Sequence, residues 1–338
     1  MVRHSVGIIA NPASGKDIRR IVTYSSPYDN QEKVNIIRRV IMALHAAGVR
    51  QVYYMPEYYN IVPRAIAGMY GPDREAVAQI TFTPLEFNYM EMESDSVIAG
   101  EMMKKLGVSC IITLGGDGTN RAVAKGCGSV PLVPISTGTN NAFPAMVEGT
   151  TAGLAAGAYA MGACIHAHGV LEHRKRLELI VDGILADTAL IDIVLLPPGH
   201  VGARAMWNAD DIRQIFVTQC APYSIGISAI PGAIRTITAA EPIGMSVIAG
   251  NGAISVKAPI APGMISSFDI WDASVLRFGQ AVSITCVPCM VALDGERNLQ
   301  LTAGQTASVR LTADGPIVLN IEQALQTAAE REFFTTKH

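Results

Sequence analysis

A chain of 338 residues, 49% hydrophobic and only 16% charged, is long enough for two domains and has ample apolar material for a core. Its formal net charge of −3 excludes the basic footprint of a nucleic-acid binder or of a polybasic membrane-surface protein. No apolar run reaches the roughly 18 residues of a membrane span, the first residues lack signal-peptide form, and six scattered cysteines fit a reducing cytoplasm better than a disulfide framework.

Residues 5–10 (S-V-G-I-I-A) read as a buried strand that stops at Asn11-Pro12-Ala13-Ser14-Gly15-Lys16. That loop is rich in small residues and donors, and it lacks the Walker spacing. Residues 32–47 carry helical periodicity (Val34, Ile37, Val40, Ile41, Leu44) up to Gly48. A strand is expected over 51–55, helix over 57–79 with breaks at Pro63 and Gly71-Pro72, and a short strand over 80–82. Residues 95–106 read as a helix and 108–114 as a buried strand. This strand ends in Gly115-Gly116-Asp117-Gly118-Thr119, and 120–125 continue as helix. Such a helix–strand–turn–helix run is one unit of a parallel α/β sheet, whose ligands sit beyond the carboxyl ends of the strands. A further strand over 130–135 ends in Ser136-Thr137-Gly138-Thr139-Asn140-Asn141-Ala142-Phe143-Pro144.

Three strand ends therefore present glycines, hydroxyls and Asn amides with almost no positive charge. That set suits a polyphosphate held by backbone and hydroxyl donors, with a metal ion supplying the charge. Asp117 is the lone carboxylate of the central turn; taken by itself it reads equally well as a helix cap.

After an Ala/Gly-rich helix over 152–165 the character changes. Strands are expected over 177–181, 184–195, 226–230, 244–248, 254–256, 281–287 and 308–311, with turns at Asp182-Gly183, Asn251-Gly252 and Asp294-Gly295. Few long helices interrupt them, so the second domain should be mostly antiparallel. A last strand (316–321) and helix (322–333) are expected to dock back on the first domain. The expected division is 1–148 plus 315–338 for the α/β domain and 149–314 for the β-rich domain.

Four segments in order carry a resemblance: N-P-A-S-G at Asn11, G-G-D-G-T at Gly115, S-T-G-T-N-N-A-F-P at Ser136 and L-D-G-E at Leu293. With Ala258-Pro259-Ile260-Ala261-Pro262 between them, the chain resembles the superfamily of NAD kinases, diacylglycerol kinases and sphingosine kinases. Within it, the chain looks most like the acetoin-catabolism protein X branch. The resemblance implies a Rossmann-like N-terminal domain, a β-sandwich-like C-terminal domain and a nucleotide cleft between them. It also implies ATP or another polyphosphate donor with Mg2+, a small-molecule or nucleotide hydroxyl as acceptor, a link to acetoin catabolism, and a homo-oligomer assembled through the second domain. Carried over, Asp117 is the general base. Asn11, Ser14, Gly15, Gly115, Gly116, Gly118, Thr119, Asn120, Thr137, Gly138, Thr139, Asn140 and Asn141 form the phosphate loops. Asp294 and Glu296 match the acidic pair placed near metal and nucleotide. Asp192 stands where NAD kinases carry an acceptor-holding Glu, while Ile191 replaces their neighbouring Asn, which counts against NAD as acceptor. The alternative reading is a nucleotide- or NAD(P)-binding accessory or regulatory protein without turnover.

Three other constellations stand apart. His166-Ala167-His168, taken as a strand with Glu172 and His173 following, would suit a hydrolase metal site, against an ordinary surface position. Cys286-Val287-Pro288-Cys289 has redox spacing but no helix to stabilise a thiolate, so it reads as structural. Arg174-Lys175-Arg176 reads as a solvated edge or as a reach toward a phosphate.

Overall fold

The computed structural model describes residues 4–14, 29–138, 140–199 and 211–336; Gly15 and Thr139 of the expected phosphate loops lie outside them. In chain order the first half runs β1 (Ser5–Ala10), α1 (Asn30–Ala46), β2 (Gln51–Tyr54), α2 (Ile61–Ala67), α3 (Pro72–Ala78), β3 (Thr81–Pro84), α4 (Glu93–Leu106), β4 (Cys110–Gly115), α5 (Asp117–Cys127), β5 (Leu132–Ser136), α6 (Gly149–Ala160) and β6 (Leu171–His173). Next come β7 (Arg176–Val181), β8 (Ile184–Ala189), β9 (Asp192–Leu196), β10 (Gln214–Val217), α7 (Ala229–Gly232), β11 (Ile243–Ala261), β12 (Met264–Arg277), β13 (Ala281–Ser283), β14 (Cys289–Leu293), β15 (Glu296–Leu301) and β16 (Ala307–Thr312). The chain closes with β17 (Ile317–Leu319) and α8 (Ile321–Glu330).

Unbroken apolar strands belong in sheets covered on both faces. β1, β4 and β5 are buried along their whole length and are neighbours in a seven-stranded sheet of order β3-β2-β1-β4-β5-β17-β6. Its pairings are parallel except for β6, which runs antiparallel to β17. Alternate residues point to opposite layers. Ile8, Ile112 and Val133 pack with α1, α6 and α8, while Ile9, Ile111 and Leu132 pack with α4 and α5. Strand order reverses direction between β1 and β4, which opens a crevice beyond their carboxyl ends.

The expected boundary at residue 149 falls too early. α6 lies against α1, where a Cβ on Gly153 would stand 2.8 Å from the Val40 carbonyl and one on Gly157 would collide with Ala47. The Ala/Gly composition thus lets two helices approach closely, and α6 belongs to the first core. β6 also joins the first sheet, so the chain leaves the first domain near Arg174.

The second half forms two antiparallel sheets, of order β12-β11-β10-β9-β14-β15 and β13-β16-β7-β8. They share a core of Leu177, Leu179, Val309 and Leu311 against Ile193, Leu195, Phe216 and Val291. Several sequence expectations change here. Residues 184–195 are not one strand: β8 and β9 lie in different sheets, and the chain crosses between them at Leu190-Ile191. Residues 226–230 lead into the short helix α7, whose Pro231 cannot donate to a central ladder. Asn251-Gly252 is not a hairpin turn but lies within β11, at a register shift against β12. β10 and β12 lie outside the strands expected from the sequence. Among the described residues no helix is long and apolar enough to cross a membrane.

Candidate functional site

The ends of β1, β4 and β5 are bound to one another by their own side chains. The Asn11 amide donates to Thr119 Oγ1 at 2.9 Å, and its Oδ1 accepts from the Ala13 N–H at 2.8 Å. Ser14 Oγ donates to the Asn11 carbonyl at 2.7 Å and lies 2.9 Å from Thr137 Oγ1, so the buried Thr137 hydroxyl is the donor of that pair. Beneath this loop the Lys33 ammonium is fully buried; it donates to the Asn11 and Ser14 carbonyls at 2.8 and 2.6 Å and to Asn30 Oδ1 at 3.1 Å. Sequence reasoning missed Lys33. The signal was a single charge on the core-facing stripe of α1, between Asn30 and Val34.

The central turn leads directly into α5, whose first residue is Asp117. The Asp117 carboxylate accepts from the N–H groups of Ala142 at 3.1 Å and Phe143 at 2.8 Å, tying the second loop to the third. Gln219, from the second domain, donates to the Ala142 carbonyl at 2.7 Å. Asn120 is fully buried, with its amide on the Gly116 carbonyl at 2.9 Å and its Oδ1 accepting from Thr113 at 2.7 Å; it braces the turn from inside. Asn141 braces the third loop through Ser136 Oγ at 2.8 Å, while Asn140 is half-buried beside it. Two glycines mark where the walls close in. A Cβ on Gly116 would stand 2.7 Å from Asn141 Oδ1, and one on Gly118 would stand 2.9 Å from Glu296 Oε1. The structure therefore brings together Asn11, Ser14, Gly115, Gly116, Asp117, Gly118, Thr119, Thr137, Gly138 and Asn141, with Glu296 across from Gly118.

The second-domain wall is the β14–β15 hairpin. Asp294 and Gly295 both have left-handed φ, 48° and 82°, as a two-residue hairpin turn requires. The Asp294 carboxylate turns inward. Its oxygens accept from the backbone N–H groups of Leu190 (2.9 Å), Ile191 (2.8 Å) and Asp192 (3.1 Å), where the chain crosses from β8 to β9. Burial lifts its pKa above the usual carboxylate range, with Arg121 and the three N–H groups acting the other way. This corrects the expectation of a metal role for Asp294: its oxygens are committed to pinning the sheet crossing. Asp192 is buried beside it, and its carbonyl accepts from the Asp294 N–H at 3.0 Å. Ile191 is buried among Phe143, Leu190 and Val318.

Glu296 remains half-buried over the opening turn of α5 and pairs with Arg121 at 3.1 Å. Arg121 is fully buried and also reaches Glu93 at 3.2 Å and the Leu293 carbonyl at 3.2 Å. One guanidinium thus joins α4, α5 and the hairpin. In the basic run at 174–176, Arg174 lies over the Phe143 ring of the third loop at 5.4 Å and pairs with Glu172, and Arg176 pairs with Glu178. Lys175 donates to the carbonyls of Thr238, Glu241 and Ile243, and burial pushes its pKa down to about 8. His166 and His168 are exposed in turns rather than on a strand, and among the described residues no group of three His, Cys, Asp or Glu side chains is arranged to hold a metal.

Comparison with known proteins matches the two halves separately. The ATP-NAD kinase N-terminal domain matches residues 6–162, and the acetoin catabolism protein X C-terminal domain matches residues 175–314. Those regions part where the chain leaves the first sheet after β6. The acetoin catabolism protein X of Cupriavidus necator is 36% identical over 321 residues, covering 90% of this chain and 87% of that protein. Yeast NADH kinase, solved in complex with NADH, superposes with a TM-score of 0.54 at 15% identity, over 99% of this chain and 89% of that one. At that identity the likeness is one of fold.

Proposed function

Because the chain belongs to the acetoin catabolism protein X family, with an N-terminal half of the ATP-NAD kinase kind, we propose that it is an ATP-dependent phosphotransferase acting on a hydroxyl of a small molecule or nucleotide. The observation that carries this reading is the interlocked rim of three loops, in which Gly116 and Gly118 stand where any side chain would fill the space between the walls. Phosphoryl transfer asks the protein mainly for positioning and for donors aimed at phosphate oxygens. The backbone N–H groups of the glycine turn that opens α5 and the Thr119 hydroxyl, which accepts from Asn11, would supply those donors, while the Ser14 and Thr137 hydroxyls hold the first loop to the third. Asp117, aimed by the Ala142 and Phe143 N–H groups, takes the proton of the acceptor hydroxyl. The crevice fits a magnesium ion only sparsely from the protein side. Glu296 would hold it together with phosphate oxygens, and the ion would supply neutralisation of the phosphoryl charge.

Ile191 favours a second reading. Where NAD kinases carry an Asn, this chain has a buried apolar side chain packed against Phe143, and a ribose diol placed there would lack a partner, costing about 1–3 kcal/mol. An accessory protein that binds nucleotide without turnover is consistent with that change. Calorimetric titration with MgATP and with NAD, beside an ADP-release assay over hydroxyl acceptors that include NAD and acetoin, separates the readings. ADP release that Asp117→Asn abolishes while MgATP still binds supports the phosphotransferase. Binding with no release from any acceptor supports the accessory protein, and no nucleotide binding at all overturns both.

A further inference from the structure

The three loops carry almost no positive charge of their own. Of the described cations around them, Arg121 pairs with Glu93 and Glu296, Lys125 with Glu93 and Asp187, and Arg174 with Glu172. Lys33 differs in where it sits. Its ammonium is enclosed beneath the first loop, and its bonds to the Asn11 and Ser14 carbonyls and to Asn30 Oδ1 go to uncharged oxygens. Glu57 feels the same charge, but burial works to keep that carboxyl protonated, and its oxygens accept from the Tyr59 and Ile61 N–H groups. A cation in the first turn of α1 opposes the helix dipole, so the helix by itself gains nothing from Lys33. The first loop does gain. A loop that faces an anion has to satisfy its carbonyls elsewhere, and those of Asn11 and Ser14 meet the ammonium. The side chains of the same two residues reach Thr119 Oγ1 and Thr137 Oγ1.

We infer that Lys33 is the positioning residue of the first loop and the fixed cation of the crevice, which through it selects ligands by the length of their phosphate chain. This rests on the nucleotide reading above. Lys33 acts through the loop and not by contact. The ammonium holds the Asn11 backbone, the Asn11 amide occupies an acceptor site on the Thr119 hydroxyl, and Thr119 is thereby left as a donor beside the glycine turn. The charge acts as well as the bonds. An enclosed cation is screened by water and salt far less than one on the surface, so phosphates lying across a single layer of backbone feel it. Enclosing an ammonium is costly; the carbonyls offset part of that cost, and a bound anion offsets more. A polyphosphate gains from this with each added charge, whereas a base or ribose gains nothing.

ATP, ADP, AMP and inorganic tripolyphosphate, titrated calorimetrically into the full chain without magnesium, should bind wild type more tightly as phosphates are added. Lys33→Met keeps the side chain's length and loses its charge. It should weaken ATP and tripolyphosphate at least about tenfold and AMP less than about threefold. Lys33→Gln keeps an N–H donor for the loop carbonyls without the charge, and should fall with Lys33→Met. Lys33→Gln that binds ATP as wild type does would leave Lys33 a brace alone and overturn the inference. Equal losses for ATP and AMP, or Lys33→Met that binds like wild type, overturn it too. Where the variants fail to fold, wild type decides. Coupling is reciprocal, so saturating tripolyphosphate should slow acetylation of Lys33 at least about fivefold, and saturating AMP should slow it less. An unchanged acetylation rate overturns the inference. Wild type that binds none of the four overturns the nucleotide reading and this one together, whereas the other failures strike the role of Lys33 alone.

Discussion

The same dipeptide, Asp-Gly, faces itself across the crevice, and the two copies do unlike work. Asp117-Gly118 opens a helix after a buried parallel strand, and its carboxylate accepts from two N–H groups of a neighbouring loop while remaining half-buried at the rim. Asp294-Gly295 turns a hairpin through left-handed φ, and its carboxylate disappears beneath three N–H groups at the crossing between sheets. What an aspartate does is decided less by its glycine neighbour than by which backbone donors are left over nearby. A parallel sheet leaves donors at helix starts and strand ends, whereas a sandwich leaves them where a strand changes sheets. One acid can serve chemistry because it finishes at a surface; the other serves stability because it does not.

The largest effect should come from removing the inner acid. Asp294→Ala strips the acceptor from three buried N–H groups and leaves Arg121 facing fewer acids, so unfolding in urea should show a loss of about 3–5 kcal/mol. Asp117→Asn keeps an acceptor oxygen for Ala142 and Phe143, so stability should fall by less than about 1 kcal/mol while ADP release disappears. Equal stability losses from the two would end the distinction.

The glycines sharpen it further. Gly118→Ala suits a helix start, yet its Cβ would stand 2.9 Å from Glu296 Oε1 and push that carboxylate away. MgATP affinity should drop roughly tenfold, about 1.4 kcal/mol, with no loss of thermal stability. Gly295→Ala meets no atom within 4 Å but must adopt φ near 82°. It should cost about 1–2 kcal/mol of stability and leave MgATP titration unchanged.

Much of this was legible from the chain. Buried runs ending in glycine and hydroxyl clusters gave the three loops, and Asp294-Gly295 gave its hairpin, because each signal is local. Asp117 meeting residues 142–143 and Asp294 meeting residues 190–192 were not legible, because those pairs are brought together only by the sheet order and the hairpin. Residues 184–195 looked like one strand because composition does not record a change of sheet. Lys33 was readable in principle, as a charge on an apolar helix face, but what it holds depends on the loop folded above it.

A third acid tests whether the contrast concerns aspartates or the donors around them. Glu178 on β7 is buried like Asp294, yet its partners are guanidinium groups, Arg176 and Arg310, each within 2.6 Å, and not backbone N–H groups. Burial works to raise its pKa, but the hydrogen bonds from Arg310 and Arg176 outweigh burial and hold it below the usual carboxylate range. A depressed folded pKa means stability that is present above the unfolded value of about 4.3 and is lost as pH falls through the folded one. Glu178→Gln should therefore cost about 1 kcal/mol at pH 7, and the gap to wild type should close as unfolding is measured at successively lower pH below about 4.3. A gap that stays constant into acid would mean that Glu178 contributes by packing alone, and that charged partners give a buried acid no more pH-dependence than a purely steric role would.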